Sequence, residues 1–445
     1  MSLPRYPKYK DSRFEWLGEV PAHWVCVRLA TLFREVNEPG NDDMPVLSVS
    51  IHDGVSDREL DENELERKVT RSDDRAKYKA VAPGDLTYNM MRAWQGGFGT
   101  VTVYGMVSPA YVVARPMRDF LTSHIEMLLR TPMAISEIRR YSRGITDFRL
   151  RLYWEDFKGL QIALPPLAEQ LAIASFLGRE TDKIDSLIAE QEMLLALLAE
   201  KRQATISHVV TRGLNPNVTM KDSGVAWLGE VPAHWEVTRL KFVASVQTGI
   251  AKGKDTTGKA TITVPYLRVA NVQDGFLALD DIAMIDIEPE QLERYRLLPG
   301  DVLMNEGGDF DKLGRGAIWY GEIHDCIHQN HVFAVRPHGV DARWLNQITS
   351  SQYAQFYFMG RSKQSTNLAS ISSSNIMELP VLIPPPEEQG TILTFIDAET
   401  AKLDNLKAAA IHTIELLKER RSALIAAAVT GKIDVREAVP EELAA

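Results

Sequence analysis

The chain has 445 residues, of which 45% are hydrophobic and 25% charged, and a formal net charge of −10. That composition supports two or more packed cores, and no apolar run reaches the roughly 18 residues a membrane-spanning helix needs. The first ten residues are rich in Pro, Tyr and Lys and lack the apolar core of a secretion signal, so a cytoplasmic protein is expected. A pI of about 5.6 excludes coating of nucleic acid by bulk positive charge, although local basic patches remain compatible with a nucleic-acid reader.

Residues 1 to about 30 form an entry segment. Short apolar runs then alternate with Gly, Pro and Asp: Pro45–Ile51 before Asp53 and Gly54, Gly99–Tyr104 before Gly105, and Tyr111–Ala114. These predict strands and turns, and the spacing of His124–Tyr141 predicts a helix. From Thr181 to about Arg212 the chain has no Pro or Gly, and apolar residues recur at Ile184, Leu187, Ile188, Leu194, Leu195, Leu198, Ile206, Val209 and Val210. Steps of three and four predict a coiled-coil helix with Thr181 as N-cap and Gly213 as its stop. At 1.5 Å per residue it would be roughly 45 Å long. A Pro/Asn stretch, 214–221, reads as a linker.

After the linker the chain repeats itself. Leu17–Trp24 returns letter for letter as Leu228–Trp235, an offset of 211 residues, Asp11 to Asp222. Ala82-Pro83-Gly84-Asp85-Leu86 recurs as Leu298-Pro299-Gly300-Asp301-Val302, and Ala114-Arg115-Pro116 as Val335-Arg336-Pro337. Leu164–Gln170 (LPPLAEQ) recurs as Ile383–Gln389 (IPPPEEQ). Strand-like runs return at Pro265–Val269, Ala317–Tyr320 and Val332–Val335, a helix at Trp344–Met359, and a second long helix from Thr400 to about Val429 with Gly431 as its stop. A period this long means two whole domain copies rather than a solenoid. The ends of each copy are alike and read as framework. The middles differ and read as the parts that do different work.

The fold class that follows is α/β, in the mixed α+β sense: two pseudo-symmetric globules joined by two long antiparallel coiled-coil helices. The expected boundaries are 1–165 for the first globule, 166–213 for the central helix, 214–221 for the linker, 222–383 for the second globule, 384–435 for the distal helix and 436–445 for a tail.

Chemistry-bearing motifs are missing. There is no phosphate-binding GxxxxGK[ST] loop, no GxGxxG after a strand, and no CxxC, HExxH or GxSxG. Cys26 and Cys326 sit at non-equivalent places and suggest reduced thiols, not a disulfide or a metal site. Glu66-Arg67-Lys68 has the shape of half a nuclease metal site but lies in a charged run without a repeated acidic partner. His23 and His234 sit in the repeated signature, and no partner repeated with them is evident, so they read as part of a framework turn. No catalysis, no metal and no bound cofactor are expected of this chain alone.

The duplicated LGEVPAHW block, the Pro-Gly-Asp step and the PPLAEQ/PPPEEQ entry to a long helix together resemble the specificity subunits of type I DNA restriction–modification systems, over essentially the whole chain. The resemblance implies two target-recognition domains, each reading one part of a split duplex-DNA sequence. It implies paired helices that act as a ruler and as a dock for methyltransferase subunits, expected as two copies, with a motor-nuclease subunit joining for cleavage. S-adenosylmethionine would then be bound by the partner methyltransferase, which methylates adenine N6. Half-sites one helical turn apart need readers about 34 Å apart, a span that a helix pair of this kind can hold.

Base-edge readers should be Arg, Lys, Asn, Gln, Ser or Thr on loops. In copy one the candidates are Asn89, Arg92, Trp94 and Gln95 after the Pro-Gly-Asp step, then Arg139, Arg140, Arg143, Thr146 and Arg149. In copy two they are Asn305, Asp309, Lys312 and Arg315, then Arg361, Lys363, Gln364, Ser365 and Asn367, with Thr248, Lys252 and Lys254 in a Gly/Lys/Thr loop. Two other classes stay open on the residues alone: a coiled-coil scaffold or adaptor whose globules bind proteins, which the acidic pI favours, and an enzyme with an unfamiliar motif.

Overall fold

A computed structural model of the chain describes residues 4–52, 54–60, 77–144, 150–252, 258–308, 313–314, 316–364 and 369–438. The chain divides into two compact units, Met1–Gln191 with Ile411–Ala445, and Glu192–Ala410. Each unit therefore holds one globule and one half of each long helix.

In the first unit, a four-stranded antiparallel sheet runs in the order Phe33–Val36, Tyr111–Pro116, Leu86–Asn89, Phe98–Thr100. Helices α1 (Thr122–Leu129), α2 (Pro132–Tyr141) and α3 (Trp154–Phe157) accompany it. Residues 124–141 are thus two helices rather than one. Pro132 has no N–H to continue α1, and it starts α2 at N1 behind Thr131, whose hydroxyl accepts from Ala134 N at 3.3 Å. The run Pro45–Ile51 contributes only the short strand Val49–Ser50. The strand after the signature, Val25–Arg28, pairs with Gln161–Leu164, so the two ends of the globule close on each other. The long helix α4 then spans Leu167–Arg212.

The second unit repeats the plan. Its sheet order is Ala244–Thr248, Val332–Pro337, Val302–Asn305, Gly316–Ile318, and Glu236–Arg239 pairs with Pro380–Ile383. It adds α5 (Pro289–Tyr295), α6 (Ala342–Thr349), α7 (Gln352–Arg361) and α8 (Ser373–Met377) before α9 (Pro386–Val429). Trp344–Met359, like its counterpart, is broken into two helices, here at Ser350 and Ser351.

The long helices start earlier than the Pro- and Gly-free stretches suggest. They hold 46 and 44 residues, or about 69 and 66 Å rather than 45 Å. Thr181 and Thr400 are not N-caps. Both lie inside their helices, with hydroxyls donating back to the carbonyls of Leu177 and Ile396 at 2.7 and 2.8 Å. The true starts are the double-proline motifs, where Gln170 Nε2 donates to Pro165 O and Gln389 Nε2 to Pro384 O, each at 2.8 Å. Gly213 and Gly431 do stop the helices, with φ of +73° and +72°.

Within each unit the two helix halves run antiparallel. In the first, Ile173, Phe176 and Leu177 share a core with Ala428 and Val429, while further along α4 Asp185 pairs with Arg421 at 2.9 Å. In the second, Ile206, Val209 and Val210 share a core with Ile392, Leu393 and Ile396, and Arg202 pairs with Asp404 at 2.7 Å. Asp185 and Asp404 are equivalent residues of the two helices, as are Arg202 and Arg421, at the same 219-residue offset as Glu169 and Glu388. Each copy gives its Asp to the other's Arg, the reciprocity of a self-complementary dimer interface built into one chain. No helix among the described residues is long and apolar enough to cross a membrane.

The signature binds the helix start. Glu169, 5% exposed, accepts from Trp24 Nε1 at 2.9 Å and Tyr6 Oη at 2.5 Å, and its other oxygen lies 2.7 Å from His23 Nε2. Glu388 meets Trp235 Nε1 at 3.1 Å and His234 Nε2 at 2.7 Å. His23 and His234 therefore do have a repeated partner, the Glu of the helix-entry motif. It lies some 150 residues downstream and was not visible as a pair in the sequence. The tip of each helix returns to the other copy's signature: a Cβ on Gly431 would lie 2.5 Å from Pro21 Cδ and 3.0 Å from Trp24, and one on Gly213 would lie 3.3 Å from Trp235.

Two outcomes follow for stability. Glu169→Ala leaves the buried Tyr6 hydroxyl and Trp24 Nε1 without acceptors, at about 1–3 kcal/mol for each orphaned group. Glu388→Ala, at a site 30% exposed and without a tyrosine, is expected to cost less. Calorimetric unfolding of both variants checks the order, and equal losses would contradict the clamp as described.

The second outcome concerns pH. His124 and His328 are fully buried, and burial lowers each imidazole to about 4 from 6.5. Neither ring nitrogen of His124 has a partner among the described residues, and His328 is bonded only through Nδ1, to Val332 O at 2.7 Å. Because the folded-state value is depressed, the unfolded chain binds more protons between pH 6.5 and 4. Stability is thus complete above about 6.5 and falls as pH drops toward 4, by up to about 1.4 kcal/mol per pH unit for each histidine. His124→Phe should flatten this dependence in denaturant titrations between pH 7 and 4.5.

Candidate nucleic-acid interface

The strand that leads to each candidate reading loop is fixed by an ion pair to a buried aspartate. Asp85, 1% exposed, receives Arg115 Nε and Nη2, both at 2.9 Å, and Asp301 receives Arg336 Nε and Nη2 at 2.7 and 2.8 Å. The same carboxylates accept from Ala82 N and Leu298 N, tightening the Pro-Gly-Asp turn, in which Gly84 and Gly300 take φ of +92° and +94°. The bonds to Asp85 and Asp301 raise both guanidinium pKa values, keeping the arginines charged.

In the first unit three pieces form one polar surface. The loop after Leu86–Asn89 is tied by Asn89 Oδ1, which accepts from Met91 N at 3.0 Å, and by Trp94 Nε1, which donates to Met91 O at 3.0 Å. The guanidinium of Arg139, at the end of α2, lies 5.8 Å from the centroid of the Trp94 ring. Arg143 and Arg151 exchange two backbone hydrogen bonds of 2.9 Å, and Leu152 N donates to Met90 O at 2.9 Å. The fold thus gathers Asn89, Arg92, Trp94 and Gln95 with Arg139, Arg140 and Arg143, which the sequence gives as separate stretches. Arg140 meets Glu137 at 3.0 Å and Arg143 meets Asp156 at 2.5 Å. Such exposed pairs are worth little and can be exchanged for a phosphate. Thr146 and Arg149 lie outside the described residues.

The second unit builds the corresponding surface with a small sheet, Gly307–Gly308, Ala369–Ser370 and Lys363–Gln364. Lys363 and Arg361 are exposed, and Arg361 lies 5.8 Å over the Tyr357 ring. Thr248 and Lys252 are exposed on the loop that turns at Gly249, where a Cβ would lie 2.0 Å from His328 O. Only glycine lets that loop approach so closely. Asn305 departs from expectation: it is 8% exposed and its Nδ2 donates to Val272 O at 2.9 Å. It holds the 269–272 turn and cannot reach a base from there. Lys254, Asp309, Lys312, Arg315, Ser365 and Asn367 lie outside the described residues, as does Glu66-Arg67-Lys68, and nothing is described of the Gln364 side chain.

One group on this surface was missed. His331 Nδ1 lies 2.6 Å from Glu306 Oε2, and Asn330 Nδ2 lies 3.2 Å from His331 Nε2. Strand register makes Asn305 opposite Val332 equivalent to Asn89 opposite Tyr111. Copy one therefore has Met90, Pro109 and Ala110 at these three places. That polar-for-apolar difference was legible in the sequence once the copies were aligned through the strands. Among the described residues no three His, Cys, Asp or Glu side chains are grouped to hold a metal ion.

A family profile described as the type I restriction modification DNA specificity domain matches residues 232–416. The chain is 23% identical over 334 residues to the type I restriction enzyme EcoKI specificity subunit of Escherichia coli K12, covering 72% of this chain and 68% of that one. It is 23% identical to the StySPI specificity subunit of Salmonella potsdam, covering 72% and 67%. Among solved structures it is similar to a chain from a study of complex assembly and conformational transition of the type I R-M system, with a TM-score of 0.65, 17% identity and coverage of 92% and 98%. The HsdS subunit of Thermoanaerobacter tengcongensis gives a TM-score of 0.50 at 17% identity, covering 93% and 98%.

Proposed function

We propose that this chain is a specificity subunit of the type I restriction–modification kind, as its relatives are, and that its two globules each read one half of a bipartite, asymmetric duplex-DNA target. The observation that carries this reading is the contrast between framework and surface. Both copies keep the Asp–Arg pair on its buried aspartate and the Trp–His–Glu clamp, yet the polar surfaces they hold in place differ residue by residue. Identical scaffolds with unlike reading surfaces suit two unlike half-sites. Phosphate contacts from Arg139, Arg140, Lys252 and Arg361 would set position, and loop side chains would read bases.

The long helices join the readers, set their spacing and carry the partners. Leu187 and its counterpart Leu406 are 45% and 53% exposed, and Leu197 and its counterpart Leu416 are 55% and 51% exposed. Large apolar side chains repeated at equivalent exposed positions suit docking of two methyltransferase subunits, one per copy. Those subunits bring S-adenosylmethionine and the methyl transfer to adenine; this chain contributes recognition and no catalytic step. A motor-nuclease subunit would join the same assembly for cleavage.

The half-site reading is tested by sequencing the targets methylated from a randomised library by the assembled complex. Arg92→Ala with Gln95→Ala should relax one half-site, and Lys363→Ala with Gln364→Ala only the other, by roughly ten- to hundredfold per lost base contact. Equal relaxation of both halves by either pair would refute independent readers.

Spacing has its own test. Four residues inserted after Glu200 and after Glu419, equivalent sites in α4 and α9, lengthen both helices by about 6 Å. The preferred spacer should grow by one to two base pairs with both half-sites unchanged. A folded, active complex that keeps its original spacer would show that the helices do not set the distance.

A further inference from the structure

Glu306, His331 and Asn330 sit in the middle of the second unit's polar surface. Asn330 N donates to Ile250 O at 3.2 Å, beside the Thr248–Lys252 loop, and Ile371 N donates to Glu306 O at 2.9 Å, beside the sheet that carries Lys363. Glu306 N donates to His331 O at 2.9 Å, so backbone bonds anchor the group on three sides. The fold does not require it, since copy one builds the same sheet with Met90, Pro109 and Ala110 in these places.

The hydrogen bonds fix the chemistry it presents. Asn330 Nδ2 can only donate, so His331 Nε2 accepts, and the ring proton resides on Nδ1 and is donated to Glu306 Oε2. Glu306 Oε1 and Asn330 Oδ1 then have no partner among the described residues. Both are acceptors on a surface whose flanks carry Lys252, Arg361 and Lys363. A carboxylate 30% exposed on a surface that faces phosphates is repelled by them unless a donor meets it. In the major groove the donors are the exocyclic amino groups of cytosine and adenine. Guanine O6 and thymine O4 are acceptors and would repel it.

We propose that Glu306, oriented by His331 and assisted by Asn330, is a specificity-determining residue of the second globule that selects a base presenting a major-groove amino group, adenine N6 or cytosine N4. The inference rests on the reading of that globule as a half-site reader. His331 is a positioning residue: it holds one carboxylate oxygen so that the other faces the base.

The test uses the tagged full-length chain purified with its partner subunits, incubated with a random duplex library, with the bound DNA then sequenced. Glu306→Gln replaces one acceptor by an amide donor and should admit guanine or thymine at one position of one half-site. Discrimination there should fall by about ten- to hundredfold. Glu306→Ala should lose the preference without gaining keto bases, and His331→Ala should relax the same position only. The other half-site should be unchanged in all three. A wild-type split motif that Glu306→Gln leaves intact, or relaxes at every position alike, overturns this inference and leaves the half-site reading standing. A wild-type complex that selects no split motif overturns both.

Discussion

The structure hangs on a carboxylate at the start of each long helix, buried at Glu169 and half-buried at Glu388. Taking a carboxylate out of water costs several kcal/mol unless donors replace the water. Glu169 finds them in Trp24, Tyr6 and His23, and Glu388 in Trp235 and His234. That requirement ties the signature at the front of a copy to the helix entry at its back. It also explains why the signature spells Trp and His together: both reach one carboxylate, and either alone would leave it short of donors.

The clamp has a second consequence at the far ends of the helices. Gly431 and Gly213 close against Trp24 and Trp235, and the residues before them, Ala428 with Val429 and Val209 with Val210, are buried in those cores. Each globule is therefore completed by the helix that follows the other copy. Both glycines take a left-handed φ, and at Gly431 there is also no room for a Cβ. The reciprocal Asp185–Arg421 and Asp404–Arg202 pairs repeat the exchange along the helix faces. Being exposed, they contribute register more than stability.

Against this fixed background the recognition surfaces are free to differ. In the bidentate Asp85–Arg115 and Asp301–Arg336 pairs the carboxylate is buried, so losing the arginine would strand a charge. The side chains beyond them are held less tightly: Glu306 and His331 are partly exposed, at the places where copy one has Met90 at the edge of its core and the small Ala110. Divergence in sequence thus collects where it is physically cheap, which is also where DNA would be read. The cysteines fit neither role: Cys326 is buried and its thiol pushed up to about 12 by burial, which leaves it inert at neutral pH.

Local pattern determined a good deal of this protein. The strand–turn punctuation, the helical spacing of α4 and α9 and their glycine stops are short-range signals, written in residues at most a few turns apart, and the duplication is a letter-by-letter identity that needs no structure to be read. Spacing could not find the helix starts, because Thr181 and Thr400 look like caps and only the double prolines upstream end the preceding strand. Nor could it show that His23 answers Glu169, that Trp94 lies under Arg139, or that Asn305 is buried while Glu306 beside it is not. Those facts depend on which strands become neighbours, and strand neighbours in these sheets come from distant parts of the chain. The sequence by itself determined that there are two copies and what each is made of. Only the tertiary structure decided which polar residues share a surface, because a side chain's burial and partners are set by what the fold brings across from elsewhere.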